Sequence, residues 1–416
     1  MKNNSKLKKT YIPASGKVFD REEINNAIKV ARDGWWTEGE YAKLFEKNFS
    51  SYLGKKYVTL VNSGSSANLV ALTALTASTL GKKALQPGDE VITTACAFPT
   101  TVNPIIQNRL VPVFIDVDLG SRNATAKLIQ KAISKKTKAI MMAHALGNLM
   151  PMREILTLVK KYNLWFIEDC CDALGGTYDR RLAGTFGHVS TFSFYPAHQI
   201  TMGEGGAIVT DNPVIHRAIR QFRDWGRDCW CDTGKDNTCG KRFKWQLGKL
   251  PYGYDHKYTY SQIGYNLKLT DFQAAIGVAQ LKKLSGFIKK RKENFKKLYT
   301  FFKKYENYFI LPTWGKKADP CWFGFMVVIK PEVSFTRLDM VAYLETHGVG
   351  TRNLFAGNLL KHPAYVNRKN IKVVGGLKNS DTIMNNGFWI GVWPGITEDM
   401  IKYIKKIILE FLHLHK

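Results

Sequence analysis

Apolar and polar positions along this chain alternate in two periods. Short apolar runs at 57–62 (YVTLVN), from Glu90 (EVITT), at 111–118 (VPVFIDVD), at 137–148 (TKAIMMAHALGN) and at 164–169 (LWFIED) have the length and bounding turns of buried strands. Between them lie stretches with apolar residues three and four apart: 20–32, the segment after Asn68, the segment from Pro99, MREILTLVKKYN, and 213–223. Each predicts a helix, and Thr37 is placed to cap the one that follows Gly39. Strands and helices alternating at these intervals require right-handed crossovers, so the expected fold is α/β, a mostly parallel central sheet with helices on both faces. From about Gly286 a helical stretch leads into a smaller α+β domain, with a strand near 323–329 and helices near 336–347 and 399–412. The expected division is a flexible polar arm at 1–12, a large domain at 13–285 carrying a polar insert at 226–260, and a small domain at 286–416.

Length and composition fit that picture. A chain of 416 residues has room for one large and one small domain, and 45% hydrophobic residues with 34 glycines is ordinary for a soluble α/β enzyme. No apolar run reaches the ~18 residues that cross a bilayer, and MKNNSKLKKTYIP has no apolar signal region, so a cytoplasmic location and no membrane partner are expected. The net charge of +27, from 61 Lys and Arg against 34 Asp and Glu, raises nucleic acid or an acidic ligand as partners. There is no nucleic-acid motif, however, and the lysine pairs at 282–283, 289–290 and 303–304 are spaced along helices. A solvated basic surface, with no nucleic-acid partner, is the simpler reading. The seven cysteines of a cytoplasmic chain are not read as disulfides.

Four places carry candidate chemistry. The run Ser193–Gly206 is a strand entering a glycine-rich turn that holds His198 at a fixed place; a lone histidine there is more often structural than catalytic. Ser63, Gly64, Ser65 and Ser66 lie between a strand and a helix, where free N–H groups and the helix dipole favour an anion, although an ordinary serine cap reads the same way. Asp169 ends an apolar strand at its carboxyl end, where α/β folds bind ligands, and a carboxylate buried there needs a cation. Finally, Cys171, Cys229, Cys231 and Cys239 form C-x57-C-x-C-x7-C, a donor set that suits zinc, an iron–sulfur cluster or no metal at all.

These segments resemble the DegT/DnrJ/EryC1/StrS sugar aminotransferases of fold type I, which use pyridoxal phosphate on nucleotide-linked sugars. The resemblance implies that Gly64, Ser65, Ser66 and Ser193 contact the cofactor phosphate, that Phe98 stacks on the ring, and that Asp169 pairs with the ring nitrogen. It puts Asp172 near the cofactor hydroxyl, where relatives have Gln or His, and Asn266 on the phosphate of a neighbouring subunit in a homodimer. The chain departs from the family at the residue that defines its chemistry: His198 stands where the family has the lysine that bonds the cofactor, and histidine cannot form that bond. His198 together with the four cysteines resembles the CDP-4-keto-6-deoxyglucose 3-dehydrase branch, which makes 3,6-dideoxysugars. That branch implies pyridoxamine 5'-phosphate, with the pyridoxal phosphate form as a variant, and a 2Fe-2S cluster on the four thiols. It also implies a nucleotide-diphosphate 4-keto-6-deoxysugar substrate and an NADH-dependent flavin iron–sulfur reductase as partner. Cys96, Cys170 and Cys321 are then ordinary buried thiols. A cluster-free dehydratase of the colitose type and an aminotransferase are the rival expectations.

Overall fold

The structure, a computed structural model, describes residues 11–231 and 233–415. Its main sheet has eight strands in the order Tyr57–Val61, Gly206–Thr210, Val189–Ser193, Trp165–Asp169, Thr137–Ala143, Glu90–Thr94, Val111–Ile115 and Lys372–Val373. Only Gly206–Thr210 runs against its neighbours, because the tight turn after Ser193 sends the chain straight back beside Val189–Ser193. All other pairings are parallel, as the strand–helix alternation predicts. Helices pack on both faces. Phe45 and Phe49 meet Phe192 and Phe194 on one side, and Val70, Ala71, Ile215 and Ile219 fill the other.

A second unit is built on the antiparallel sheet Phe309–Ile310, Gly324–Ile329, Gly387–Gly391 and Thr351–Arg352. Its core contains Phe295, Phe302, Phe325, Phe388, Ile404 and Phe411. The boundary expected at 285/286 falls inside one helix, Asp271–Phe302, whose second half belongs to this core. A continuous helix satisfies its own main chain, so composition alone does not reveal a division within it. Of the arm expected at 1–12, residues 1–10 lie outside the described residues; Ile12 is buried in the second core and bonds Gly348 and Gly350 through its main chain.

The cap expected of Thr37 is also replaced. The helix is Glu40–Leu53, and the carboxylate of Asp271 accepts from the N–H groups of Gly39 (3.1 Å), Tyr41 (3.1 Å) and Ala42 (2.8 Å). A distant side chain thus does the work of a local one. Among the described residues no helix is long and apolar enough to cross a membrane.

Candidate active site

The strand Trp165–Asp169 delivers two carboxylates to opposite faces, because strand side chains alternate. Glu168 turns into the core, 3.0 Å from His144 Nε2, and also accepts from the N–H groups of Gly184, Phe186 and Gly187. Burial alone would raise its pKa, but these bonds hold it below the usual value. His144 Nδ1 in turn accepts from Met150 N–H, so this pair is a saturated brace with no valence left for a ligand.

Asp169 turns toward the open end of the sheet, 3% exposed. Its Oδ2 accepts from Asn68 Nδ2 and Thr101 Oγ1, both at 2.8 Å, and its Oδ1 from Cys171 N–H at 3.1 Å. Asn68 is itself fixed by Thr191, whose hydroxyl donates to its Oδ1 at 2.6 Å. All of these donors are neutral, so the carboxylate is oriented but its charge is unmatched, which suits a cationic ring nitrogen on a ligand.

Beside it, Ser63 caps the helix Gly64–Ala74 and its hydroxyl accepts from Ser66 N–H at 3.1 Å. The N–H groups of Gly64 and Ser65 sit in the first turn, where no helix carbonyl can meet them. Ser65 Oγ donates to Thr100 Oγ1 at 3.0 Å. Gly64 lies so close to Ser193 that an added Cβ would stand 2.4 Å from Ser193 Cβ. Gly64, Ser65 and Ser193 therefore converge at one helix end, a cradle for a phosphate. Ser66 is at the same end but is committed to Ser63 through both its N–H and its hydroxyl.

His198 sits in the turn after Ser193, its side chain 14% exposed. Nδ1 stands 3.5 Å from Asp172 Oδ1 without hydrogen-bond geometry and has no other partner. Burial, reinforced by the charge of Arg291, pushes its pKa down to about 3, and burial beside Asp169 raises that of Asp172 well above the usual value. Burial thus disfavours the charged form of both the imidazole and the carboxyl that faces it. The ring rests against Phe323, centroids 5.2 Å apart; Phe323 meets Phe355, and Phe355 meets Phe98, which is about half exposed. Phe355 follows the strand Thr351–Arg352 of the second sheet. Asn266 is exposed, its side-chain oxygen accepting from Lys268 at 3.0 Å, and it pairs with Asp224 on the surface of the chain.

Of the four cysteines expected at one site, three share a loop and the fourth follows the strand Trp165–Asp169. Cys229, Cys231 and Cys239 line one small cavity with His256 and Arg242, but Cys171 is not among its walls, and the groups acting on the Cys171 thiol are Asp169 and Asp172. Among the described residues none of the four belongs to a set of three donors within 4.8 Å of one another. Burial opposes the Cys231 thiolate, yet bonds from Thr238, Cys239 and Cys229 bring it down to about 7, so this loop does hold one thiol ready to ionise. Cys96, Cys170 and Cys321 are buried, as expected.

The profile of the DegT/DnrJ/EryC1/StrS aminotransferase family matches residues 17–409. The chain belongs to this family. It is 52% identical over 406 residues to the lipopolysaccharide biosynthesis protein RfbH of Salmonella typhimurium, covering 98% of this chain and 93% of that one. It is 48% identical to the dTDP-4-dehydro-2,6-dideoxy-D-glucose 3-dehydratase of Saccharopolyspora spinosa, over 97% and 87% of the two chains. Among solved structures it is similar to the E. coli GDP-4-keto-6-deoxy-D-mannose-3-dehydratase with bound hydrated PLP (TM-score 0.85, 29% identity, 96% of this chain and 99% of that one). Fold type I, the fold of the family, is the fold described above.

Several site residues carry no signal that sequence reasoning used. Asn68, Thr101 and Thr191 orient Asp169, yet each is a common polar residue in a helix or strand. Asn68 had one available clue, a lone amide at the start of an otherwise apolar helix. Arg291 and Gln199, which bind main-chain carbonyls around His198, had none.

Proposed function

We propose that this chain is a C3 dehydratase of a nucleotide-linked 4-keto-6-deoxyhexose, working with pyridoxamine 5'-phosphate. CDP-4-keto-6-deoxy-D-glucose is the assigned substrate, and 3,6-dideoxysugar formation for O-antigen the assigned setting. One observation carries the reading: a half-buried histidine, its pKa lowered to about 3, occupies the place of the family's lysine, while the rest of the cofactor site is intact. Relatives whose names are 3-dehydratases support it.

The site fits the cofactor. Asp169 would hold the ring nitrogen, Phe98 the ring face, and Gly64, Ser65 and Ser193 the phosphate, with Ser66 behind them; Asp172 lies on the side of the ring hydroxyl. When bound, the cofactor supplies an electron sink. His198, its pKa lowered to about 3 by burial, accepts a proton at a ring nitrogen, and the Asp172 carboxyl, its pKa raised by burial, stands beside it. Phe323 and Phe355 keep water from that proton. Asn266 is assigned to the phosphate across a homodimer.

Loss of the C3 hydroxyl as water is redox-neutral; reduction of the resulting unsaturated sugar then takes two electrons and two protons, and an NADH-dependent flavin iron–sulfur reductase is the proposed source of the electrons. A 2Fe-2S cluster on Cys171, Cys229, Cys231 and Cys239 belongs to the same reading, and no step is routed through it. A second reading, a cluster-free dehydratase, is supported by the likeness to GDP-4-keto-6-deoxy-D-mannose 3-dehydratases.

Two measurements test the proposal. His198→Lys is expected to lose dehydration of CDP-4-keto-6-deoxy-D-glucose and to gain amino transfer from glutamate; retained dehydration would sink the assignment of the base. Anaerobically purified protein with about two irons and two sulfides per chain, lost in Cys229→Ser, supports the cluster, and metal-free protein that still dehydrates supports the second reading.

A further inference from the structure

Arg291 is fully buried on the helix Asp271–Phe302, and the chemistry above gives it nothing to do. A buried guanidinium normally meets a carboxylate. This one spends its donors on four main-chain carbonyls: Nη1 donates to Trp322 O (3.3 Å) and Phe323 O (3.2 Å), Nη2 to Ala197 O (3.2 Å) and His198 O (2.7 Å). Nε has no partner.

The two pairs of carbonyls come from different units. Ala197 and His198 belong to the turn that follows the main-sheet strand Val189–Ser193, whereas Trp322 and Phe323 lead into the strand Gly324–Ile329 of the second sheet. A planar fork with donors on both arms spans such a gap in a way that one ammonium does not. Gln199 repeats the arrangement alongside, its Nε2 donating to the carbonyls of Asp172 and Cys321. Burying a charge without a counterion is costly, so the contacts it makes are held by the surrounding structure at some expense. What they hold is the backbone of His198 and the backbone of the ring it rests on.

Resting on the reading that His198 moves a proton, we propose that Arg291 is its positioning residue, clamping the His198 turn to Phe323 so that the imidazole is aimed only when the C-terminal unit is docked. The titratable and charged groups around the ring are Asp172 from the loop after Trp165–Asp169, Arg291 from the long helix, and Lys17, which lines a small cavity with His198 and Gln199. Phe323, just before the strand Gly324–Ile329 of the second sheet, rests against the ring.

The test uses the full chain loaded with pyridoxamine 5'-phosphate, as Arg291→Met and Arg291→Lys, with dehydration of CDP-4-keto-6-deoxy-D-glucose followed across pH. His198 is titrated separately by NMR of 13C-labelled histidine, its resonance assigned with His198→Gln. Arg291→Met is expected to lower kcat about 10- to 100-fold with KM within about twofold, since a misaimed base slows the proton transfer and leaves binding alone. Its acid limb and its His198 titration move to higher pH, because a positive charge beside the ring is gone. Arg291→Lys recovers part of kcat. If Arg291→Met does not fold, Phe323→Leu decides: the same kcat loss with unchanged cofactor affinity supports the clamp, and unchanged kcat overturns it. Folded Arg291→Met with wild-type kcat and an unmoved His198 titration also overturns it, as does a rise in KM alone. Failure of the underlying function has a different signature: His198→Gln would then turn over normally, while the NMR titration would still report whether Arg291 holds the ring.

Discussion

Acid stability offers a direct measure of whether His198 is held neutral. Burial first, and the Arg291 charge second, lower its pKa to about 3, against about 6.5 for an imidazole in an unfolded chain. Between those values the unfolded chain binds a proton that the folded protein refuses, so native stability falls as pH drops through the unfolded value and stops falling only near the folded one. At pH 5 the site costs RT ln(1 + 10^1.5), about 2 kcal/mol relative to pH 7.5, and it corresponds to about one proton taken up on unfolding. His216 behaves alike: burial, then Arg220 and Arg223, lower it to about 4, so wild-type protein loses stability in acid through more than one site. The variant His198→Gln removes one of these contributions and leaves the other. Urea unfolding of both proteins at pH 7.5 and pH 5.0, at one ionic strength, is expected to show the variant gaining about 2 kcal/mol on wild type over that interval. Parallel pH curves would refute the reasoning, because they would mean that the folded protein accepts a proton on His198 as readily as the unfolded chain does.

Two further substitutions test the walls of the site. Gly64→Ala forces a Cβ to 2.4 Å from Ser193 Cβ and 2.8 Å from its Oγ, so fluorescence titration should show pyridoxal 5'-phosphate binding weakened about tenfold or more, with pyridoxal, which lacks the phosphate, little affected. Glu38→Gln breaks the fork in which Arg223, 1% exposed, donates to Glu38 Oε1 (2.5 Å) and Oε2 (2.8 Å). Asp224 at 3.2 Å remains, so the loss in urea unfolding is expected near the lower end of a broken buried pair, about 2–3 kcal/mol, with part of it regained on adding Arg223→Met.

The parts of the fold legible in the sequence are those where side chains carry the information. Trp165–Asp169 announces itself because its apolar residues are buried and its final carboxylate is not among apolar neighbours in sequence. Lys372–Val373, the outermost strand of the same sheet, was missed for the opposite reason: both residues are exposed, and only main-chain pairing with Val113 and Phe114 places them there. The start of Glu40–Leu53 was misread because its cap, Asp271, is supplied from the beginning of another helix. In each failure the deciding bond joins residues far apart in the chain, and no local period reports it.

The site divides along the same line. Residue type is local, so histidine in place of lysine at 198 was readable at once, as was the absence of a covalent anchor. Charge state is not local: it depends on burial by Phe323 and on Arg291, which reach His198 from the second unit and from the long helix. The cysteines make the converse point. Their spacing is local and invited a four-sulfur site, but spacing counts residues along the main chain and says nothing of where thiols point. Cys171 is fixed by its N–H bond to Asp169 at the strand end, while the loop of Cys229, Cys231 and Cys239 hangs from its own stem, where Asp228 binds Arg217, Gln221 and His256.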